Sequence, residues 1–183
     1  MKQLVNIFDL DCTLIDSSHR INAQGDPAYG VDMDFWIANS TYDNVMKDKL
    51  LPLANLFYEF DKTEFTNIAV TAREMFAADF EYLEKHKLHF HMVLHRGDSR
   101  ELDHVLKEKK LQELFDSGSY VPFLAFDDKE ENLEIFKKFG FKCFNALHFN
   151  KMISGEDVPC SHNLITRTDT PKYETPMWPF QTA

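Results

Sequence analysis

Two aspartates, Asp9 and Asp11, stand two residues apart directly after the apolar run Leu4, Val5, Ile7 and Phe8, and Thr13 follows two positions later. A pair alternating out of the end of a strand directs backbone and side-chain oxygens into one small space. That space suits Mg²⁺, a hard cation that takes oxygen ligands. It also leaves one carboxylate able to attack an electrophile. A second acidic pair, Asp127-Asp128, closes another apolar run, Thr71 ends a third, and Lys107 lies in a helical stretch between them. These are the groups that phosphoryl transfer needs. Asp9 would be the nucleophile and form an aspartyl-phosphate. Asp11 would protonate the leaving alkoxide and later activate water. Mg²⁺ on Asp9, the Asp11 carbonyl and Asp127, with Asp128 beside them, would neutralise the repulsion between carboxylate and phosphate. The Thr71 hydroxyl and the Lys107 ammonium would bind the transferring oxygens.

Ligands of an open parallel sheet collect at the carboxyl ends of its strands, so the chain must supply such a sheet. Apolar runs at 3–8, 66–71, 90–94, 120–126 and 142–145 predict five strands. Helical spacing fills 45–60, 73–87, 99–115 and 129–139, the last ending at Gly140. Strands alternating with helices predict an α/β fold, a Rossmann-like parallel five-stranded sheet with helices on both faces. The Phe-rich helical stripes read as core.

Two stretches break the alternation. Residues 17–43 carry turn signals (Gly25-Asp26-Pro27, Gly30, Asn39-Ser40) and the aromatics Tyr29, Phe35, Trp36 and Tyr42. They read as a small helical or loop insertion after the first strand, a minimal cap. Residues 151–183 contain Pro159, Pro171, Pro176 and Pro179 and read as an irregular tail behind one domain at 1–150.

The formal net charge of −10 disfavours an extended nucleic-acid surface, which needs many Lys and Arg contacts to phosphates. Residues 26–48 alone hold five Asp against one Lys. No leader peptide and no membrane-spanning stretch is readable. Three cysteines without metal spacing, Cys12, Cys143 and Cys160, read as free thiols in a reducing cytoplasm. A calcium loop starting at Asp9 would need Gly at its sixth position, where Leu14 stands. A phosphoacceptor receiver domain would need its acceptor after the third strand, where the chain has His95-Arg96-Gly97. His86, His89, His91 and His95 lack a Cys or second His cluster to complete a zinc site.

Asp9-x-Asp11-x-Thr13, a strand ending in Thr71, then Lys107, then Asp127-Asp128 resemble in order the four motifs of the haloacid dehalogenase superfamily of phosphotransferases, over roughly residues 3–145. Cys12 stands where that superfamily usually has Gly. A narrower resemblance is to the phosphatase domain of polynucleotide kinase-phosphatases. It rests on Val70-Thr71-Ala72-Arg73, Tyr82-Leu83-Glu84-Lys85-His86, Met92-Val93-Leu94-His95-Arg96, Asp98-Ser99-Arg100, and Asp103 four residues before Lys107. Arg20, nine residues after Asp11, also matches, while the spacing from Arg100 to Asp103 is one residue longer here. This resemblance implies that Arg20, Arg73 and Arg100 contact substrate, with Thr13 beside them, and that Asp103 orients Lys107. No Gly-x-x-x-x-Gly-Lys-Ser/Thr loop is present, so no P-loop kinase half accompanies it.

The insertion between Thr13 and Val45 is only about thirty residues, which implies an open site. The chain therefore reads as a Mg²⁺-dependent phosphomonoester hydrolase acting on a phosphorylated nucleotide or a short nucleic-acid end, 3′-phosphatase-like. The alternatives are a 5′-nucleotidase, a small-metabolite phosphatase, or a non-catalytic module that binds phosphate or a partner.

Overall fold

β1 (Gln3–Phe8) forms the axis of the molecule. It pairs in parallel with β4 (Phe65–Val70) on one side and β6 (Tyr120–Asp127) on the other. β5 (Met92–Leu94) extends the sheet beyond β4, and β7 (Lys142–Asn145) extends it beyond β6. The order is β5-β4-β1-β6-β7, all parallel. The chain thus starts in the middle, builds outward in one direction, then returns and builds in the other. The reversal lies at the carboxyl end of β1, the place where such sheets bind ligands. This computed structural model describes residues 2–20, 33–60, 65–157 and 160.

Strand alternation sends β1 side chains to both faces. Val5 and Ile7 join Ile68, Val70 and Ala125 on one face. There they meet Leu111 and Leu114 of α5 (Asp103–Asp116) and Leu133, Ile135 and Phe136 of α6 (Glu130–Lys138). On the other face Phe8, Ala69, Leu124 and Phe126 meet α3 (Leu53–Glu59), α4 (Ala77–Lys85) and α7 (Ala146–Ser154). Both faces are covered, as an all-parallel sheet requires. The predicted α/β architecture is the observed one. α6 ends as its sequence implies: Gly140 takes φ +94°, and the Gly140 and Phe141 amides donate to Lys137 and Phe136 carbonyls.

Several elements differ from their sequence reading. The 45–60 stretch is not one helix. It contains the end of α2 (Tyr42–Val45), then β3 (Lys49–Leu50), then α3. Pro52, at φ −53°, ends the first part and is pre-set to open α3. β3 pairs antiparallel with β2 (Ile15–Asp16), joining the two ends of the insertion. The helices expected from 73 and 99 begin at Ala77 and Asp103, because the residues before them form loops at the strand ends. Pro122 sits inside β6, where its missing N–H coincides with a register shift: Val5 faces Pro122 and Asn6 faces Leu124. Within the insertion a 3₁₀ turn (Ser18–Arg20) and α1 (Met33–Asn39) are described. The turn signals at 25–27 and Gly30, with Tyr29, lie outside the described residues. α7 carries the chain past residue 150 to Ser154, and most of the expected tail, including its prolines, lies outside the described residues.

Phe57 anchors the aromatic cluster under the sheet, 5.3 Å from Phe8 and 4.8 Å from Phe90 between ring centroids, and it is fully buried. Phe57→Ala should cost about 3–5 kcal/mol. Urea unfolding monitored by circular dichroism measures this, and a loss below about 1 kcal/mol would contradict the packing described.

Candidate active site

Asp9 is the first residue beyond β1, and its amide still donates to the Phe126 carbonyl at 2.9 Å. The backbone then closes a tight turn in which the Thr13, Leu14 and Ile15 amides all point to the Leu10 carbonyl. Cys12 holds this turn at φ +58°, a left-handed conformation that costs a non-glycine residue roughly 1–2 kcal/mol. Asp127 ends β6, the strand beside β1, so its carboxyl reaches the same space. Lys107 lies one turn into α5 and is buried; its Nζ donates to Asp9 Oδ1 at 3.0 Å and to Asp127 Oδ2 at 2.7 Å. Asp103, one turn earlier, stands 3.5 Å from the same ammonium and also receives hydrogen bonds from Lys129 Nζ and Asn132 Nδ2. The Lys129 amide and Asn132 Nδ2 fix Asp127 Oδ1, each at 2.9 Å.

Carboxylate oxygens of Asp9, Asp127 and Asp128 lie within 4.8 Å of one another. Burial pushes the Asp9 carboxyl well above the ordinary range, the Lys107 ammonium opposes this, and Asp127 and Asp128 add to it. Asp127 is pushed up to about 6, first by burial, against the pull of Lys107 and with the push of Asp128. Burial disfavours the charged Lys107, yet Asp103, Asp127 and Asp9 outweigh it and hold the ammonium charged. One ammonium does not balance the carboxylates around it. An all-oxygen donor set with residual negative charge fits Mg²⁺. The side chain of Asp11 belongs to a different group.

That second group is built around Arg73. Its Nε and Nη2 grip Asp11 at 3.0 and 2.6 Å, its Nη1 reaches Asp79 at 2.8 Å, and Nη2 lies 3.4 Å from Asp48. The Ser17 hydroxyl donates to Asp11 at 2.5 Å. Burial would raise the Asp11 carboxyl, but Arg73, with Arg20 and Ser17 behind it, brings it down to about 2. Asp11 is therefore ionised in this arrangement and cannot donate a proton until Arg73 loosens.

The remaining expected residues divide. Thr71 is buried just past the end of β4 and accepts from the Arg73 amide at 3.1 Å. Thr13 is fully buried, and its Oγ1 has no hydrogen-bond partner among the described residues. Arg20, expected to touch substrate, is instead buried against Asp48, at 3.0 Å through Nε and 2.6 Å through Nη2, with Ser40 on Nη1. The Trp36 ring covers it at 4.4 Å. Arg20 links the insertion to the fold through this bidentate pair. Arg100 is largely exposed and lies 3.8 Å from Glu74. Arg96 folds inward onto the carbonyls of Ala72, Ser99 and Glu101. The histidines join neither metal-competent group among the described residues.

Asp48, Asp79, Ser17, Lys129, Asn132 and the Trp36 cover are not evident from sequence. Asp79 resembles any acidic residue in a first helical turn, and it also accepts from the Phe76 amide. Asp48 sits in the turn between α2 and β3, a segment too short to leave a periodic signal. The Lys129 and Asn132 positions next to Asp127 are the nearest to legible, since the start of α6 must face the end of β6.

The raised carboxyls make stability pH-dependent in a stated direction. A carboxyl whose folded value is raised favours folding while protonated, and that contribution is lost as pH rises through the folded value. Asp11 and Asp103, both lowered, are already ionised above about pH 4.5 in the folded and unfolded chain alike. Between pH 5 and 7.5 the metal-free protein should therefore lose the Asp9 and Asp127 contribution. Mg²⁺ should restore it, raising Tm more at pH 7.5 than at pH 5. Equal Mg²⁺ shifts at both pH values, or an undiminished difference in Asp127→Asn, would sink this account.

Known proteins resemble this chain in sequence and in fold. A family model described as bacteriophage T5 5′-deoxynucleotidase matches residues 1–119. A 5′-deoxynucleotidase of Escherichia phage T5 is 28% identical over 175 residues, 82% of this chain and 70% of that protein. A chain of the Pnkp1/Rnl/Hen1 RNA repair complex matches with a TM-score of 0.53 at 22% identity, over 79% of this chain. This chain spans only 42% of that larger one. A haloacid dehalogenase-like hydrolase from Streptococcus pneumoniae matches with a TM-score of 0.53 at 17% identity, over 77% of this chain and 83% of that one. At such identities the solved structures speak to the fold, while the family model spans well over half of the sequence. The chain has the fold of the solved haloacid dehalogenase-like hydrolase and belongs to the bacteriophage T5 5′-deoxynucleotidase family.

Proposed function

We propose that the chain is a Mg²⁺-dependent phosphomonoesterase that works through an aspartyl-phosphate on Asp9 and takes the phosphate of a nucleotide or of a nucleic-acid terminus. One observation carries the reading: Asp9 leaves the central strand 3.0 Å from a buried ammonium and within 4.8 Å of the oxygens of two further carboxylates. In the first step an Asp9 oxygen attacks phosphorus, the ester P–O bond breaks, and the leaving alkoxide takes a proton from Asp11. In the second, Asp11 accepts a proton from water as that water attacks phosphorus, and the bond to Asp9 breaks to release phosphate. Asp9, Asp127 and Asp128 would hold Mg²⁺, which supplies charge neutralisation between the anionic nucleophile and the phosphate. Thr71 and Lys107 would bind the transferring oxygens.

Asp11 needs a trigger to become an acid, because Arg73 holds it at about 2. A phosphate dianion entering beside Arg73 competes for the guanidinium and adds negative charge next to Asp11. Both effects raise the Asp11 carboxyl and let it carry a proton. Proton donation is thereby tied to substrate arrival.

For the substrate, kinship with a 5′-deoxynucleotidase supports a mononucleotide. The Val70-Thr71-Ala72-Arg73 and Asp103/Lys107 pattern supports a nucleic-acid end. The −10 net charge weighs against a long bound strand. No helix among the described residues is long and apolar enough to cross a membrane. Three cysteines without a disulfide fit a reducing compartment such as the cytoplasm.

Phosphate release from deoxynucleoside 5′-monophosphates, 3′-mononucleotides, a 3′-phosphorylated oligonucleotide and sugar phosphates, each with Mg²⁺ and with EDTA, tests the class. Metal-dependent turnover of a nucleotide or oligonucleotide is expected. Turnover of sugar phosphates alone would make the chain a metabolite phosphatase, and no release from any of them would favour a binding module.

Asp9→Asn should lower kcat by at least about 10⁴-fold while leaving the fold intact by circular dichroism. Because burial holds Asp9 high in the metal-free protein, the acid limb of kcat/KM at sub-saturating Mg²⁺ should lie above its ordinary range, and saturating Mg²⁺ should move that limb to lower pH. Lys107→Met removes the ammonium that opposes this shift, so the acid limb of the profile should move to higher pH. A limb that stays put in that variant would remove Asp9 as the titrating nucleophile.

A further inference from the structure

Beside the oxygen site lies a group of different chemistry. Cys12, Asp128 and Cys160 are all buried, and one ligand atom from each lies within 4.8 Å of the other two. Cys160 Sγ and Asp128 Oδ2 are 3.6 Å apart. A tetrahedral zinc ion with Zn–S of ~2.3 Å and Zn–O of ~2.0 Å places its sulfur and oxygen ligands about 3.5 Å apart. In the metal-free protein the Cys160 thiol donates a hydrogen bond across this distance, so an ion replacing that proton would need little movement of either ligand. Cys12 occupies a left-handed position at φ +58°, in the turn that follows the nucleophile. The turn itself would be relieved by Gly, so packing alone does not account for a cysteine there; strain of this kind gathers at functional positions. The third thiol, Cys143, is half-buried and is pushed up to about 12, first by burial, which marks it as an ordinary inert thiol.

We propose that Cys12, Cys160 and Asp128 form a binding site for a thiophilic divalent cation, zinc in the first instance. Two thiolates and one carboxylate give three ligands and leave a fourth position for water. Binding deprotonates both thiols: two S–H protons are released as the two Zn–S bonds form, so affinity falls as pH falls. Asp128 belongs to both metal groups. Zinc on the thiols takes Asp128 away from the oxygen site, and so opposes Mg²⁺ there. Through Cys160, the chain beyond α7 thereby gains a hold on the loop that carries Asp9 and Asp11. Sequence spacing gives no sign of this, since the two cysteines lie far apart in the chain.

The test uses the full chain with a phosphine reductant present. Co²⁺, added at one equivalent and then displaced by Zn²⁺, reports thiolate ligation through its sulfur-to-metal charge-transfer absorption. The wild-type protein should show this band, and Cys143→Ser should keep it. Removing an outer-shell partner of a metal ligand already costs roughly 10- to 100-fold in affinity. Cys160→Ser and Cys160→Ala should therefore lose the band and bind Zn²⁺ about 100-fold more weakly or worse. Should both variants misfold, Cys12→Gly, which suits φ +58°, must lose the band as well. A wild-type protein without the band, or Cys160 variants that keep wild-type zinc affinity, would overturn the site. The spectrum needs no turnover, so a failure of the zinc site and a failure of the phosphatase reading are told apart. Where phosphate release is present, Zn²⁺ should suppress it in wild type and require about 100-fold more ion in Cys160→Ser.

Discussion

The structure is organised around a repulsion. The parallel sheet delivers Asp9 from β1 and Asp127 from β6 to adjacent strand ends, and Asp128 follows at once. Nothing in the strands themselves offsets these charges. The offset arrives from the opposite direction, when the first turn of α5 pushes Lys107 between Asp9 and Asp127. That ammonium is buried as deeply as the carboxylates, and desolvation makes its isolated presence there very costly. Each charge is thus tolerated only because the other is present. A balance of this kind leaves room for one more cation and no more, which is the condition a metal-assisted site must meet.

The second ionic group does the same work for the insertion. Asp48, just before β3 where the insertion closes, binds Arg20 on one side and approaches Arg73 on the other. Trp36 covers both guanidiniums, at 4.4 and 5.6 Å. Arg73 in turn holds Asp11. The insertion is therefore wired to Asp11, the carboxylate proposed to exchange protons. A disturbance at Asp48 or Trp36 would reach the chemistry through Arg73 without either residue touching substrate.

What is legible in the sequence follows from how local its causes are. β1 and β7 match their apolar runs residue for residue, because alternation and burial act within a few positions. The meeting of Asp9, Lys107 and Asp127 is readable because each stands at a strand end or one turn into a helix, where topology fixes the neighbourhood. The pairing of Arg20 with Asp48 is not legible, since a charged residue near a motif looks the same whether it faces a ligand or a buried carboxylate. The β2–β3 pairing joins two-residue strands across the whole insertion, and such a short segment carries no period. The thiol pair illustrates the same limit: its partners meet only because Cys160, beyond α7, lies against the Asp9 loop, a long-range contact with no local signature.

Asp128 stands where the oxygen and sulfur groups meet. Its Oδ2 lies 3.6 Å from the Cys160 sulfur, while the residue also closes the three-carboxylate group with Asp9 and Asp127. Hard and soft donors rarely share a ligand by accident, since a carboxylate committed to one ion is depleted for the other. The Asn145 side chain holds the Asp128 backbone carbonyl at 3.3 Å, which leaves the carboxylate, and not the backbone, as the part able to choose. In its observed position the carboxylate already lies within 4.8 Å of ligand atoms of both groups. Two ions of different softness could in this way compete over one aspartate, at no cost to the sheet that positions it.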